Sequence, residues 1–209
     1  MNLIFDLDGT LIDSTLRLYK LFQSLVPNSK LTYDEYWELK RNKINHKEIL
    51  TSKFNYTTEA YELFEKEWMI EIEKTQWLAL DKPFEGVTQM LIDLSQYHKL
   101  FLVTARQSEE AALHQIKSFG WELFFNKILV TRQKFNKFVL IKNSIQVDQN
   151  DYLIGDTGKD IETGKMLGIK TIAVLSGFLN KSKLLPYGAD YIVNYSTEIT
   201  EIINGKIQK

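Results

Sequence analysis

The chain has 209 residues, 44% of them apolar, and 26 basic against 27 acidic side chains give a net charge of −1. The length fits one large domain or a core with a smaller one, and the apolar fraction predicts a packed core rather than disorder. The near-neutral charge excludes a strong electrostatic signature for nucleic acid or an anionic membrane. With no cysteine, no signal-like amino terminus and no membrane-length apolar run, we expect a soluble cytoplasmic protein without disulfides or thiolate chemistry.

The first predicted strand, residues 3–5, is short and wholly apolar, and two carboxylates follow it at Asp6 and Asp8. Residues two apart on a strand project the same way, so both should leave the sheet at its carboxyl end. That edge is where open α/β sheets bind ligands. Two like charges this close are unfavourable unless a cation or shared protons relieve them, which suggests a divalent metal. A solvated turn after a buried strand is the equal alternative for this motif alone.

The region after Leu11 changes character, because residues 13–80 are aromatic, charged and nearly free of glycine. Apolar residues at helical spacing predict about four helices there. A capping-box pattern at Thr32 and Glu35 opens the second of them. We therefore predict an all-helical insert at 13–81 between core segments 1–12 and 82–209, with crossings near 12–14 and 80–85.

The remainder of the sequence alternates between predicted strands and helices. The strands fall at 100–103, 128–130, 152–154, 170–175 and 191–193, and the helices at 87–94, 108–119, 136–145, 161–167 and 197–203. Such alternation predicts an α/β fold with a doubly wound parallel sheet and helices on both faces. Residues 204–209 are predicted to form a frayed tail.

Polar side chains follow four of the predicted strands, and the carboxyl ends of parallel strands share one edge. Their carboxylates form a hard oxygen site suited to Mg²⁺, while a hydroxyl, a lysine and exposed amides could hold a phosphoryl group. One carboxylate could attack phosphorus, and another could transfer protons. The residues are Asp6, Asp8, Thr104, Ala105, Lys137 or Lys134, Asp156 and Asp160.

These motifs, in this order, resemble those of the haloacid dehalogenase-like hydrolases. The resemblance rests on Asp6-Leu7-Asp8-Gly9-Thr10-Leu11, on Thr104 after an apolar strand, on a lysine opening a later helix, and on Gly155-Asp156 with Asp160. The insert at 13–81 is similar to the helical cap of phosphoglycolate phosphatase-like members. The resemblance implies a Mg²⁺-dependent phosphomonoester hydrolase that forms a phospho-aspartate.

The resemblance also implies a role for each carboxylate. Asp6 would be the nucleophile and a metal ligand. Asp8 would be the acid/base, with its backbone carbonyl on the metal. Asp156 would be a further metal ligand, and Asp160 would bind the metal through water or orient the lysine. An aspartate two residues after the nucleophile is typical of the family's phosphatases and phosphomutases.

For the phosphate, the resemblance implies contacts from Thr104 and from the amide of Ala105. The lysine is ambiguous because the Lys-Pro pair of many relatives is missing. Lys137 is favoured over Lys134 since it begins the predicted helix, and Lys142 is the weakest candidate.

Several alternatives stay open at this level. The chain could be a phosphomutase of the β-phosphoglucomutase type, or a catalytically silent phosphate-binding regulatory module. The substrate could be phosphoglycolate-like, a sugar phosphate or a nucleotide, and the protein could be a monomer or a homodimer. Arg106 is interpreted as a surface residue rather than a substrate contact, and the three histidines are given no role.

Overall fold

A six-stranded parallel sheet forms the centre of the computed structural model, which describes residues 1–205. Its strands run in the order β5-β4-β1-β6-β7-β8. The strands of the described chain are β1 (Asn2–Phe5), β2 (Ile12–Asp13), β3 (Lys82–Pro83), β4 (Lys99–Thr104), β5 (Phe125–Val130), β6 (Tyr152–Gly155), β7 (Lys170–Val174) and β8 (Tyr191–Val193). The order reverses beside β1, which places the topological switch point at its carboxyl end.

Helices connect these strands along the chain. Those of the first half are α1 (Thr15–Leu25), α2 (Tyr33–Arg41), α3 (His46–Phe54), α4 (Thr58–Glu71) and α5 (Thr75–Leu78). Those of the second half are α6 (Val87–Ser95), α7 (Glu109–Ser118), α8 (Lys137–Ser144), α9 (Gly158–Leu167), α10 (Lys181–Leu184) and α11 (Ile199–Ile203).

The sheet is covered on both faces because successive residues of β1 point in opposite directions. Leu3 and Phe5 pack in one cluster with residues of α6, α7 and α11. Ile4 packs in another with Ile141 of α8 and Ile145. Both layers are fully buried at β1, so the predicted doubly wound α/β core is confirmed.

Helices α1 to α5 form a helical segment with an apolar cluster of its own. Phe22, Tyr36, Ile49 and Leu50 are fully buried in it. The capping box that opens α2 is confirmed, since Thr32 Oγ1 accepts from the Glu35 amide and the Glu35 carboxylate accepts from the Thr32 amide. The sequence predicts about four helices here; the fifth, α5, is too short to give a helical period.

The two connections between the helical segment and the sheet run side by side. Strands β2 and β3 pair antiparallel, with Ile12 opposite Pro83 and Asp13 opposite Lys82. These positions coincide with the predicted crossings at 12–14 and 80–85. The division of the chain into domains at 12/13 and 81/82 stays a prediction.

The structure shifts some predicted boundaries. Helix α9 begins at Gly158 rather than 161, because Asp160 accepts from the amide and hydroxyl of Thr157 and so stabilises an earlier first turn. Strand β5 begins at Phe125 rather than 128, and α10 has no predicted counterpart. Of the predicted frayed tail at 204–209, residues 206–209 lie outside the described chain. Across residues 1–205, every helix is too short or too polar to cross a membrane.

Candidate active site

The carboxyl ends of β1, β4 and β6 meet at one cavity. Asp6 directly follows β1, and its amide donates to the Ile154 carbonyl of β6 at 2.9 Å. Thr104 ends β4, and Asp156 follows β6. All three line a cavity of about 640 Å³. The sheet edge at which the polar residues were predicted to meet therefore borders a cavity. We call the part of the cavity formed by Asp6, Thr104 and Asp156 and their neighbours at these strand ends the floor.

Three carboxylates form a compact cluster on this floor. Each of Asp6, Asp156 and Asp160 offers an oxygen within 4.8 Å of the others, and all three residues are buried. The Lys137 ammonium lies 2.7 Å from Asp6 Oδ1 and 2.5 Å from Asp160 Oδ1. With all four groups ionised, the cluster has a net charge of −2.

The pKa values show that the cluster is electrostatically unfavourable when fully ionised. Burial, aided by the charge of Asp160, raises the pKa of Asp6 to about 7 even though Lys137 opposes the shift. Burial and the charge of Asp6 raise the pKa of Asp156 well above its usual value. Burial alone would lower the pKa of Lys137, but Asp160 and Asp6 raise it above the ordinary range. Lys137 is therefore protonated, and its single positive charge compensates only part of the negative charge of the three carboxylates.

This donor set fits Mg²⁺. Magnesium prefers carboxylate oxygens to nitrogen or sulfur, and it binds through a few carboxylates while keeping waters. A divalent cation would also compensate the net charge of −2 on the cluster. Asp6, Asp156 and Asp160 are therefore the side chains that could hold the ion.

Asp156 is fixed by close backbone contacts. The Phe178 amide donates to its Oδ2 at 2.7 Å, and the Thr10 hydroxyl donates to its Oδ1 at 3.4 Å. A Cβ at Gly177 would overlap this carboxylate, and Gly9, with a φ of +79°, approaches it equally closely. Only glycine permits such an approach at these two positions.

The three candidate lysines lie in different environments. Lys137 is the first residue of α8, whose N-cap Asn136 accepts from the Val139 amide at 2.8 Å, and its side chain is 11% exposed. Lys134 and Lys142 are both exposed. The structure thus brings Lys137 to the carboxylates and leaves the other two at the surface.

Thr104 and Ala105 lie at the carboxyl end of β4, and both line the cavity. Thr104 is 1% exposed and its carbonyl accepts from the Thr131 amide at 3.0 Å. Ala105 is exposed and also lines the cavity. Both are therefore available to a ligand that reaches the end of β4.

Asp8 also lines the cavity, but its carboxylate is held by two arginines. Arg106 donates from Nε to Asp8 Oδ2 at 2.6 Å and from Nη2 to Oδ1 at 2.8 Å, and Arg17 pairs with the same Oδ1. Burial would raise the pKa of Asp8, yet Arg106 and Arg17 hold it well below its usual value. Asp8 is therefore ionised in this arrangement.

The interpretation of Arg106 as a surface residue is wrong. Its side chain is 4% exposed, and besides Asp8 it contacts Asp81 at 3.3 Å and Gln115 at 3.0 Å. The physical reason is that the carboxylates of Asp8 and Asp81, which are distant in sequence, and the side-chain amide of Gln115 on α7 all contact this guanidinium. The sequence does contain an indication that Arg106 belongs to the site, because Arg106 follows Thr104 by two residues at the end of a buried strand.

Two further charged residues of this network were missed. Arg17 and Asp81 are 3% and 5% exposed, and Arg17 Nε lies 3.0 Å from Asp81 Oδ1. Arg17 lies on α1 beside the apolar positions Leu18 and Leu21, and a charge on the buried face of a helix signals a partner. Asp81 has no comparable signal.

Comparison with known proteins agrees with this architecture. The sequence profile described as Haloacid dehalogenase-like hydrolase matches residues 3–174. The chain is 25% identical to pyrophosphatase PpaX of Halalkalibacterium halodurans, over 98% of this chain and 97% of the relative. It is 22% identical to the N-acetylmuramic acid 6-phosphate phosphatase of Pseudomonas aeruginosa, over 96% and 93%.

A solved structure of a haloacid dehalogenase-like hydrolase from Streptococcus pneumoniae superposes with a TM-score of 0.73 at 22% identity, covering 96% of this chain and 97% of that one. This similarity extends the agreement in fold to the helical segment as well as the sheet. The profile match covers most of the chain, including both aspartate motifs and the strand that carries Thr104. The protein belongs to the haloacid dehalogenase-like hydrolase family.

Proposed function

We propose that this protein is a Mg²⁺-dependent phosphomonoester hydrolase that acts on a small phosphorylated metabolite through a phospho-aspartate at Asp6. The observation that carries the proposal is the buried cluster of Asp6, Asp156 and Asp160, with the Lys137 ammonium against Asp6 and Asp160. Membership of a hydrolase family and full-length similarity to a pyrophosphatase and to a phosphatase support it.

Asp6 is the proposed nucleophile. One of its oxygens attacks phosphorus, the bond from phosphorus to the ester oxygen breaks, and the leaving oxygen takes up a proton as the alcohol departs. Water then attacks phosphorus of the aspartyl phosphate, giving up a proton and regenerating the Asp6 carboxylate with free phosphate. Lys137 supports both steps, because its ammonium contacts Asp6 and compensates charge on the transferring group.

Asp8 is the proposed acid and base, and the structure supports these two roles unequally. Its ionised form, paired with Arg17 and Arg106, is the form needed to accept the proton of the attacking water. To donate a proton in the first step, Asp8 must first lose part of this pairing. We propose that substrate binding opens the contact with Arg17, the arginine that belongs to the helical segment.

The remaining groups of the floor are proposed to bind the phosphate and the metal. Thr104 and the amide of Ala105 hold phosphate oxygens at the end of β4. Asp6, Asp156, Asp160 and the backbone carbonyl of Asp8 hold Mg²⁺ directly or through water. When bound, Mg²⁺ supplies charge compensation for the phosphoryl oxygens.

We also propose that the helical segment acts as a cap. Its residues Arg17, Leu18, Trp68, Met69 and Ile72 line the cavity together with the core residues. A cap in this place would exclude water during phosphoryl transfer and would contribute to specificity.

Asp6→Asn tests the proposal. It removes the nucleophilic oxygen while keeping shape, so phosphate release from a generic phosphate ester in Mg²⁺ should be lost, as it should be for the wild type in EDTA. Asp93→Asn, an exposed carboxylate on α6, serves as the matched control and should retain activity. Full activity of Asp6→Asn, with its fold verified by circular dichroism, would contradict the central role of Asp6. Isomerisation of a sugar phosphate without phosphate release would indicate a mutase instead.

A further inference from the structure

The cavity is much larger than a phosphate group requires. Its volume is about 640 Å³, within the range of sites that enclose a whole organic ligand. A phosphate group takes the space of a few water molecules, on the order of 100 Å³. Most of the cavity therefore lies beyond the carboxylates and the lysine of the floor.

The walls above the floor are largely apolar, and both halves of the chain contribute to them. Eight large apolar side chains line the cavity: Leu18, Trp68, Met69, Ile72, Phe135, Phe138, Met166 and Phe178. Four of the eight belong to the core, and the other four belong to the helical segment or directly follow α4. The residues that could contact a substrate therefore include core residues as well as residues of the helical segment.

Three of these side chains are exposed to an extent that is unfavourable without a partner. Phe135 is 53% exposed, Met166 is 64% exposed and Met69 is 36% exposed. Single exposed apolar residues are common, but several that face one cavity indicate a surface that a ligand covers. The three come from the loop before α8, from α9 and from α4, so no single element explains their exposure.

The charges of the cavity argue against a second anionic group on the substrate. Arg17 and Arg106 are each paired with both Asp8 and Asp81, and Lys137 is paired with Asp6 and Asp160. Lys159 is an exposed cation at the rim, and the exposed carboxylate of Glu162 lines the same cavity. A leaving group that is itself a phosphate or a carboxylate would have to compete with these carboxylates for the buried cations.

We infer that the substrate is the phosphate monoester of a ring-containing alcohol, of the size of a nucleoside or an N-acylated sugar, whose ring packs on Phe135 and Met166. The inference rests on the proposed phosphatase function and adds the class of leaving group. The same chemistry, a ring with an apolar face and an uncharged alcohol, occurs in both nucleoside and sugar esters. Small charged leaving groups such as glycolate or phosphate would leave the apolar walls uncovered.

The test compares esters that share the phosphate and differ in the leaving group. Adenosine 5′-monophosphate and N-acetylglucosamine 6-phosphate provide the two kinds of ring. Glycerol 3-phosphate, phosphoglycolate and pyrophosphate provide small leaving groups. We expect kcat/KM for at least one ring ester to exceed that for each small compound by about tenfold or more, the scale on which apolar pockets discriminate. The better ring ester identifies the source of the ring.

Variants then locate the contact. The double variant Phe135→Ala/Met166→Ala should lower kcat/KM for the preferred ring ester by about fivefold to tenfold, mainly through KM, with little change for glycerol 3-phosphate. Leu123→Ala, at a side chain that is 88% exposed, is the control and should change neither value.

The outcomes separate this inference from the proposed function. Equal kcat/KM for ring and small esters, or an equal loss for both in the double variant, would overturn the inference while hydrolysis remains. No Mg²⁺-dependent phosphate release from any of the five compounds would instead count against the proposed function.

Discussion

Lys137 is the cation closest to the proposed nucleophile Asp6, and its position is central to the proposed mechanism. Its ammonium lies between two buried carboxylates, while Lys134, three residues earlier, is exposed. We expect Lys137→Met to lower kcat for a generic phosphate ester by about 100-fold or more, as loss of a transition-state donor does elsewhere. Lys134→Met, the matched control, should behave as the wild type in the same assay. Comparable losses in the two variants would contradict the assignment.

The sequence predicts the position of Lys137 because a helix start is a local pattern, visible in Asn136 and the apolar residues that follow. The burial of Arg106 is not local. It depends on Asp8, Asp81 and Gln115, which approach only after β1, β4 and the connection from the helical segment are assembled. Candidate site residues beside strand ends could therefore be predicted from the sequence. The ion pairs that these residues form with distant parts of the chain could not.

The junction between the helical segment and the sheet is held by a buried ion pair between Arg17 of α1 and Asp81 of the returning connection. Removing one partner leaves an uncompensated buried charge, so Arg17→Met and Asp81→Asn should each lower the free energy of unfolding by about 3–5 kcal/mol. The double variant should lose less than the sum, with a coupling of about 1 kcal/mol or more in urea unfolding.

The exposed pair Lys74–Glu71 offers a matched control for this cycle. Neutralising it should leave the free energy of unfolding almost unchanged, since water screens exposed ions. Additive effects of Arg17→Met and Asp81→Asn would show that the two elements are not coupled through this pair.

Elements with several regularly placed apolar residues could be predicted from the sequence, as the agreement at α6 and β6 shows. The antiparallel pair of strands β2 and β3 could not be predicted, because strands of two residues are too short to show an alternating pattern. The early start of α9 was missed for another reason. Thr157 and Asp160 form a capping box there, and the Asp160 carboxylate that accepts from Thr157 also lies in the cluster with Asp6 and Asp156.

At the scale of the whole molecule, the helical segment has its own core and its own pH dependence. His46 is enclosed by aromatic rings, with Trp68 at 4.2 Å between centroids, and its Nε2 lies 2.8 Å from the Tyr36 hydroxyl. Burial, assisted by the charge of Lys40, holds the pKa of His46 well below its ordinary value of 6.5. The folded protein therefore keeps this imidazole neutral.

The unfolded chain takes up a proton at His46 near pH 6.5, whereas the folded chain does not. This contribution to stability is complete above pH 6.5 and is lost as the pH falls. The free energy of unfolding, measured in urea, should therefore fall more steeply with decreasing pH for the wild type than for His46→Gln. The expected difference is about 1.4 kcal/mol per pH unit below 6.5, which corresponds to one proton taken up on unfolding. His114→Gln, at an exposed histidine of α7, should keep the wild-type slope. Parallel slopes for wild type and His46→Gln would contradict a neutral buried imidazole.

The proposed mechanism requires a covalent phosphoryl group on Asp6. The direct measurement is acid quenching of the enzyme during turnover of a phosphate ester in Mg²⁺, followed by peptide mapping by mass spectrometry. We predict one added phosphoryl group on Asp6 that appears before steady state, decays when the ester is exhausted, and is absent in Asp6→Asn. Rapid phosphate release with no phosphoryl group on the enzyme, or with the group on another residue, would contradict the account.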